Sequence, residues 1–161
     1  MNESTWQYTV QDYSPLLTYA GNNSSQVLSL NTAWSQKCPS GWWPGTRSTI
    51  CDVGSIHVTS TSGASVSLNF YGGHRIRCRF HPWEGQSIDL LGFVTGGMAY
   101  DLTVDGSTLP ANSSSTLLAS VSNLSLGEHT IALKARPSAS HSGLLFQGAV
   151  VTVGTGLTGY G

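Results

Sequence analysis

Apolar and polar residues alternate along this chain with a period of two, again and again, which is the pattern of strands with one buried face. Trp6-Gln7-Tyr8-Thr9-Val10 opens the series, and Pro15 and Gly21 punctuate it. From Gly21 to Thr49 turn residues and aromatics predominate, a long excursion. Ser55 to Thr59 alternates, as does Ala64 to Phe70, which closes at Gly72-Gly73. Arg75-Ile76-Arg77-Cys78-Arg79-Phe80 alternates with every second residue basic, and Ile88 to Phe93 is a short apolar strand. Tyr100 to Val104 runs into Asp105-Gly106, a strong hairpin-turn signal. Thr116 to Val121, Glu128 to Lys134 and Leu144 to Val153 supply the last strands. No stretch shows helical periodicity bounded by caps. Roughly nine or ten short strands with turns between them predict an all-β sandwich or jelly roll of two antiparallel sheets.

Size and composition sharpen this. The 161 residues suit one sandwich domain over 1–153, followed by a Gly/Thr-rich tail or linker at 154–161. Only 9% of residues are charged, against roughly 25% in an average soluble protein. The residues that build helix surfaces are therefore scarce. Hydrophobic residues make up 39%, and five Trp are present, enough for a core and against disorder. A net charge of −1 provides no field to draw nucleic acid. No apolar run reaches the roughly 18 residues that span a bilayer, so no membrane insertion is expected within this chain.

Sequons at Asn2, Asn22, Asn23, Asn112 and Asn123 point to an extracellular or cell-surface location. No basic start followed by an apolar run precedes Thr5, which places a leader, and any anchor, outside these residues. In that compartment Cys38 and Cys51, which bracket a loop rich in Pro and Gly, are expected to pair. Such a disulfide is worth about 3 kcal/mol in the chain-entropy model. Cys78 is left over, as a buried thiol or an intermolecular partner. A zinc site built from the cysteines with His57, His74 or His81 is the alternative, but no Cys-x-x-Cys or His-x-x-x-His spacing supports it.

A run of motifs then stands out: Gly63-Ala64-Ser65 opening a strand, Val104-Asp105-Gly106 at a turn, and Gly127-Glu128-His129-Thr130 opening another strand. Together with Tyr19-Ala20-Gly21, Trp34 and Ala149-Val150-Val151, the run resembles the galactose-binding-like jelly rolls of fungal membrane-anchored ectodomains and of carbohydrate-binding modules. The resemblance covers residues 5–155 and implies a scaffold more than a site. One departure is the segment 73–85. Deleting it would join Phe70-Tyr71-Gly72 to Gln86-Ser87-Ile88 in the usual pattern. It reads as an insertion, or as a hairpin extension carrying an arginine face.

Candidate binding residues follow from chemistry. Sugar rings present apolar C–H faces that stack on aromatic planes, which makes Trp42-Trp43 in the Cys38–Cys51 loop the leading platform. Arg47 in that loop and Tyr71 at the end of a strand join them. Arg75 and Arg77, with Arg79, would line one strand face and suit an acidic polysaccharide or phosphate; the plainer reading is a solvated edge guarded by charge. Trp6 and Trp34 fit the core. Asp101 and Asp105 could serve a structural calcium, but no Asp-rich loop supports one and no cofactor is expected. No Gly-x-Ser-x-Gly elbow is present, and several of the eight acidic residues have turn or cap explanations, so no enzyme is predicted. The sequence reads as a non-catalytic extracellular domain that binds a cell-wall or secreted glycan. The alternative is a structural or sensory ectodomain that makes protein contacts or self-associates, with no small ligand.

Overall fold

The computed structural model describes residues 5–21, 33–37, 55–72, 87–111, 114–125, 127–136 and 141–154. Among them the order is β1 (Thr5–Gln11), β2 (Leu17–Ala20), β3 (Ser35–Lys37), β4 (Ile56–Thr59), β5 (Ser65–Gly72), β6 (Ser87–Thr95), β7 (Tyr100–Val104), β8 (Ser107–Leu109), β9 (Leu117–Ser122), β10 (Gly127–Ala135) and β11 (Gly143–Gly154). No helix among the described residues is long and apolar enough to cross a membrane.

The predicted sandwich is what forms. One sheet runs β3-β4-β11-β6-β9, with β1 also on β11; the other runs β2-β5-β10-β7-β8. All pairings are antiparallel. The period-two pattern sorts side chains as expected. On β10, His129, Ile131, Leu133 and Ala135 turn inward, while Glu128, Thr130 and Lys134 face solvent. Val66, Leu68, Phe70 and Leu102 join them against Ile88, Leu90, Leu118, Leu144, Phe146 and Val151 of the facing sheet. Each large side chain buried this way contributes about 1.5–3 kcal/mol. Trp34 lies in this core as expected, its indole N–H donating to the Ala20 carbonyl.

The spine of the first sheet is β11. One of its edges pairs with β6 from Gly143 to Thr152. The other edge is shared: β4 covers Leu144–Phe146 and β1 covers Gly148–Gly154. Since a strand has only two edges, β1 and β4 lie end to end along β11. The register slips between Phe146 and Gly148, opposite the point where β1 stops and β4 begins. There β1 leaves for the other sheet through a turn at Asp12 to Leu16, closed by backbone bonds from Ser14 N–H to Gln11 and from Leu17 N–H to Ser14.

At Asp105-Gly106 both residues adopt positive φ, 50° and 80°, the two-residue turn that this dipeptide favours. It returns the chain as β8 onto β7. β5 stops at Gly72 and β6 starts at Ser87. The strand expected at 75–80 and the rest of the 73–85 segment lie outside the described residues, as do Cys38, Cys51 and Cys78.

Candidate functional site

Two polar assemblies interrupt the apolar order of the first sheet. The first sits at the junction of β1 and β4. Asp12 is fully buried. Its carboxylate accepts the Ser55 hydroxyl, at 2.7 Å from either oxygen, and the His57 Nδ1–H at 2.8 Å. Gln36 on β3 donates from Nε2 to the Ser55 hydroxyl at 2.8 Å. The Tyr19 hydroxyl donates to the Asp12 backbone carbonyl at 2.6 Å, and its ring stacks on His57 at 4.3 Å. Burial, and then the Asp12 charge, push the Tyr19 phenol well above its ordinary range, so it stays a donor.

Ser, His and Asp are thus within bonding distance, and their wiring decides what they can do. A nucleophilic serine gives its proton to histidine, which the carboxylate orients from behind. Here serine and histidine both donate to the same carboxylate, and among the described residues no histidine nitrogen bonds the Ser55 hydroxyl. The arrangement is a buried anchor in which the Ser55 and His57 donors are both aimed at one carboxylate.

The second assembly is a groove of about 440 Å³ on the outer side of the same sheet. Because Thr59 points inward, Val58 and Ser60 point outward, and Val58 floors the groove beside Gly143. Hydroxyls surround it: Ser35 from β3, Ser60 and Thr61 beyond β4, Thr95 at the end of β6, and Ser142 before β11. Lys37 and His141 complete the lining. An open groove lined by hydroxyls, with one ammonium and one imidazole, can exchange hydrogen bonds with a polyhydroxylated chain. Nothing local in the sequence marks it, because sheet order alone brings these scattered Ser and Thr residues together.

Comparison with solved structures settles the scaffold. The CBM36-1 domain of a multidomain xylanase from the hindgut metagenome of Trinervitermes trinervoides superposes with a TM-score of 0.50 at 17% identity, over 96% of this chain and 99% of that one. The fold is a jelly-roll β-sandwich of two antiparallel sheets. A family two carbohydrate esterase from Cellvibrio japonicus matches 96% of the chain with 35% of its own length, at 16% identity and a TM-score of 0.49. A CBM36 module in complex with calcium and xylotriose matches 91% of the chain with 98% of its own, at 12% identity and a TM-score of 0.46. No protein-family model matches the sequence, and no characterised protein matches it in sequence.

Within the jelly roll the sequence-predicted residues divide into two groups. Trp42, Trp43, Arg47 and the Cys38–Cys51 pair lie outside the described residues, on the connection that leaves at Lys37 and returns at Ser55. Lys37 is a groove residue. Arg75 and Arg77 also lie outside the described residues. Tyr71 is the penultimate residue of β5, its backbone opposite Glu128, and its side chain is not among those described. The segment with the two arginines leaves at Gly72, opposite Gly127, and returns at Ser87, opposite Ser122 and Thr152. That pole is the one remote from Thr95 and Gly143, where the groove lies. The sheet order therefore anchors the two predicted groups in different places.

Asp101 and Asp105, the carboxylates considered for calcium, are each committed elsewhere. Asp101 pairs with Arg136 on the surface. Asp105 accepts the Thr130 backbone N–H and His129 Nδ1–H, both at 2.8 Å, and the pull of these two donors holds its carboxyl below the usual carboxylate range. Among the described residues no three His, Cys, Asp or Glu side chains gather as a metal would require.

His129 bridges the jelly roll's turn to its strand. It is buried, with Nδ1 on Asp105 and Nε2 on the Ser125 carbonyl at 2.7 Å. Burial opposes the charged ring, yet the Ser125 carbonyl and the Asp105 carboxylate together outweigh it, and the pKa is raised above the usual 6.5. A raised folded-state pKa gives stability that is complete below the unfolded value and lost as pH rises through the folded one. Thermal melts are therefore expected to show Tm falling as pH rises above 6.5, and His129→Gln flattening that slope. Asp105 acts in the opposite direction, its contribution lost only as pH falls below 3.8.

Proposed function

We propose that this chain is a non-catalytic, extracellular carbohydrate-binding domain that holds a glycan in the groove on the outer side of its first sheet. The observation that carries the reading is the open groove lined by Ser35, Ser60, Thr61, Thr95 and Ser142, with Lys37 on its rim. These groups match the donors and acceptors of a sugar chain. Trp42 and Trp43, five and six residues beyond Lys37, are within reach of the groove, since an extended chain spans up to about 3.5 Å per residue. They would supply the apolar stacking that a hydroxyl-lined groove lacks. Arg47 accompanies them. Tyr71, Arg75 and Arg77 would make a separate contact at the other pole. The wiring of Asp12, Ser55 and His57 supports the non-catalytic part of the proposal.

The test is a glycan array with the intact domain and with the Trp42→Ala/Trp43→Ala double variant. Binding to a defined polysaccharide is expected, weakened at least about tenfold in the variant by loss of two stacking partners. A folded domain that binds no glycan would end the proposal. That outcome would favour a protein-contacting ectodomain, a reading supported by Tyr13 and Leu16 on the β1–β2 turn, the two large apolar side chains exposed among the described residues, at 65% and 52%.

A further inference from the structure

The groove carries positive charge and no negative charge. Lys37, on the edge strand β3, stands at one end, and His141, at the entry to β11, stands at the other, two strands away across β4. None of the lining residues is acidic. The carboxylates nearest in the sheet order are turned elsewhere. Asp12 is sealed on the inner side beneath Ser55 and His57, and Asp89, toward the far pole on β6, accepts the Ser120 hydroxyl of β9 at 2.6 Å. Among the described residues neither Lys37 nor His141 has a carboxylate partner. The chain as a whole is almost neutral, at −1, so this is a local asymmetry and no reflection of a basic protein.

A lysine that faces a hydroxyl-lined groove without a counter-charge favours a ligand that brings one. We propose that the groove selects an acidic polysaccharide, a chain whose sugars carry anionic groups, with Lys37 as the residue that reads the charge. This rests on the glycan reading above and narrows its ligand class. The hydroxyls would hold the sugar backbone in register, while the Lys37 ammonium donates to an anionic substituent at one end of the bound stretch. His141 lies where a second anionic substituent would arrive.

The experiment measures affinity of the intact domain for three polymers: polygalacturonate, its methyl-esterified neutral form, and a sulfated dextran. The same is done for Lys37→Gln and Lys37→Arg. Lys37 is exposed on a three-residue edge strand, so unchanged melting curves are expected for both variants. The expected result is binding to polygalacturonate at least about tenfold tighter than to its ester, falling by about that factor in Lys37→Gln and recovering in Lys37→Arg. It should also weaken as salt rises to 1 M, where the screening length is about 3 Å. Stronger binding to the sulfated polymer, with the same Lys37 dependence, identifies sulfate as the anionic source. Equal binding to charged and neutral polymers, or charge preference untouched by Lys37→Gln, overturns this inference and leaves the glycan reading standing. No binding to any of the three polymers overturns this inference, and the glycan reading falls with it only if the glycan array is also blank.

Discussion

Asp12→Ala lowers the stability of this domain by about 2–6 kcal/mol, at roughly 1–3 kcal/mol for each of the two donors left without their buried acceptor. At roughly 2–4 °C per kcal/mol for a chain of this size, thermal melting should move down by about 4–24 °C. The carboxylate is fully buried, and its loss strands the Ser55 hydroxyl and the His57 Nδ1–H away from water. Asp12 also ties together two strands of one sheet at the point where they meet end to end. Its backbone belongs to the turn leaving β1, while its side chain grips Ser55 and His57 at the start of β4. Asp12→Asn keeps one acceptor oxygen but presents an amide N–H₂ to a donor, so a loss of about half that size is expected. A wild-type Tm in Asp12→Ala would show that the junction is held by strand pairing alone.

Gly92→Ala is expected to be nearly as damaging, by a different cause. Gly92 sits in the middle of β6, opposite Phe146, with φ +149°. A Cβ placed there would stand 2.1 Å from the Leu145 carbonyl oxygen and 2.8 Å from Leu118 Cδ1. The carbonyl belongs to the spine strand and cannot rotate away as a side chain could. Relief requires β6 and β11 to separate beside Phe146 and Leu144, in the best-packed part of the core. A loss of about 3 kcal/mol or more follows from overpacking combined with backbone strain. Chemical denaturation is the suitable measurement, because its midpoint should drop while its slope holds if the native state stays compact. A midpoint within error of wild type would mean that β6 has room the geometry does not show.

Much of this architecture was legible before any coordinates. Alternation marks β1, β4, β5, β7, β10 and β11, a short apolar run marks β6, and Asp105-Gly106 announces its turn. The strands that escaped had no such contrast. Ser35-Gln36-Lys37 is exposed throughout, an edge strand defined by its pairing with β4, and Ser107-Thr108-Leu109 is too short to display a period. Leu17 to Ala20 does alternate but follows Pro15 and a turn, which masked it. The site was far less legible. Asp12 meets Ser55 and His57 across 43 and 45 positions, and the groove draws on residues from Ala33 to Gly143. Such sets are assembled by strand order, which hydropathy does not encode. His129 shows the same limit: its place at the start of a strand was evident, whereas its grip on Asp105 depends on how β7 and β10 are paired.

The paired ends of β1 and β11 have a mechanical consequence. Thr5 lies opposite Gly154, so both strands enter from the same pole, the one away from the groove. Tension applied through the two strand ends would therefore load the β1–β11 bonds one at a time, as a zipper opens, instead of shearing them together. Resistance should be slight until the peel reaches Gln11. At that point it meets the Asp12 carboxylate, whose hold on β4 transfers the load into the body of the sheet. Under tension the domain would yield a short length of chain at its tethered pole while the groove at the opposite pole kept its shape.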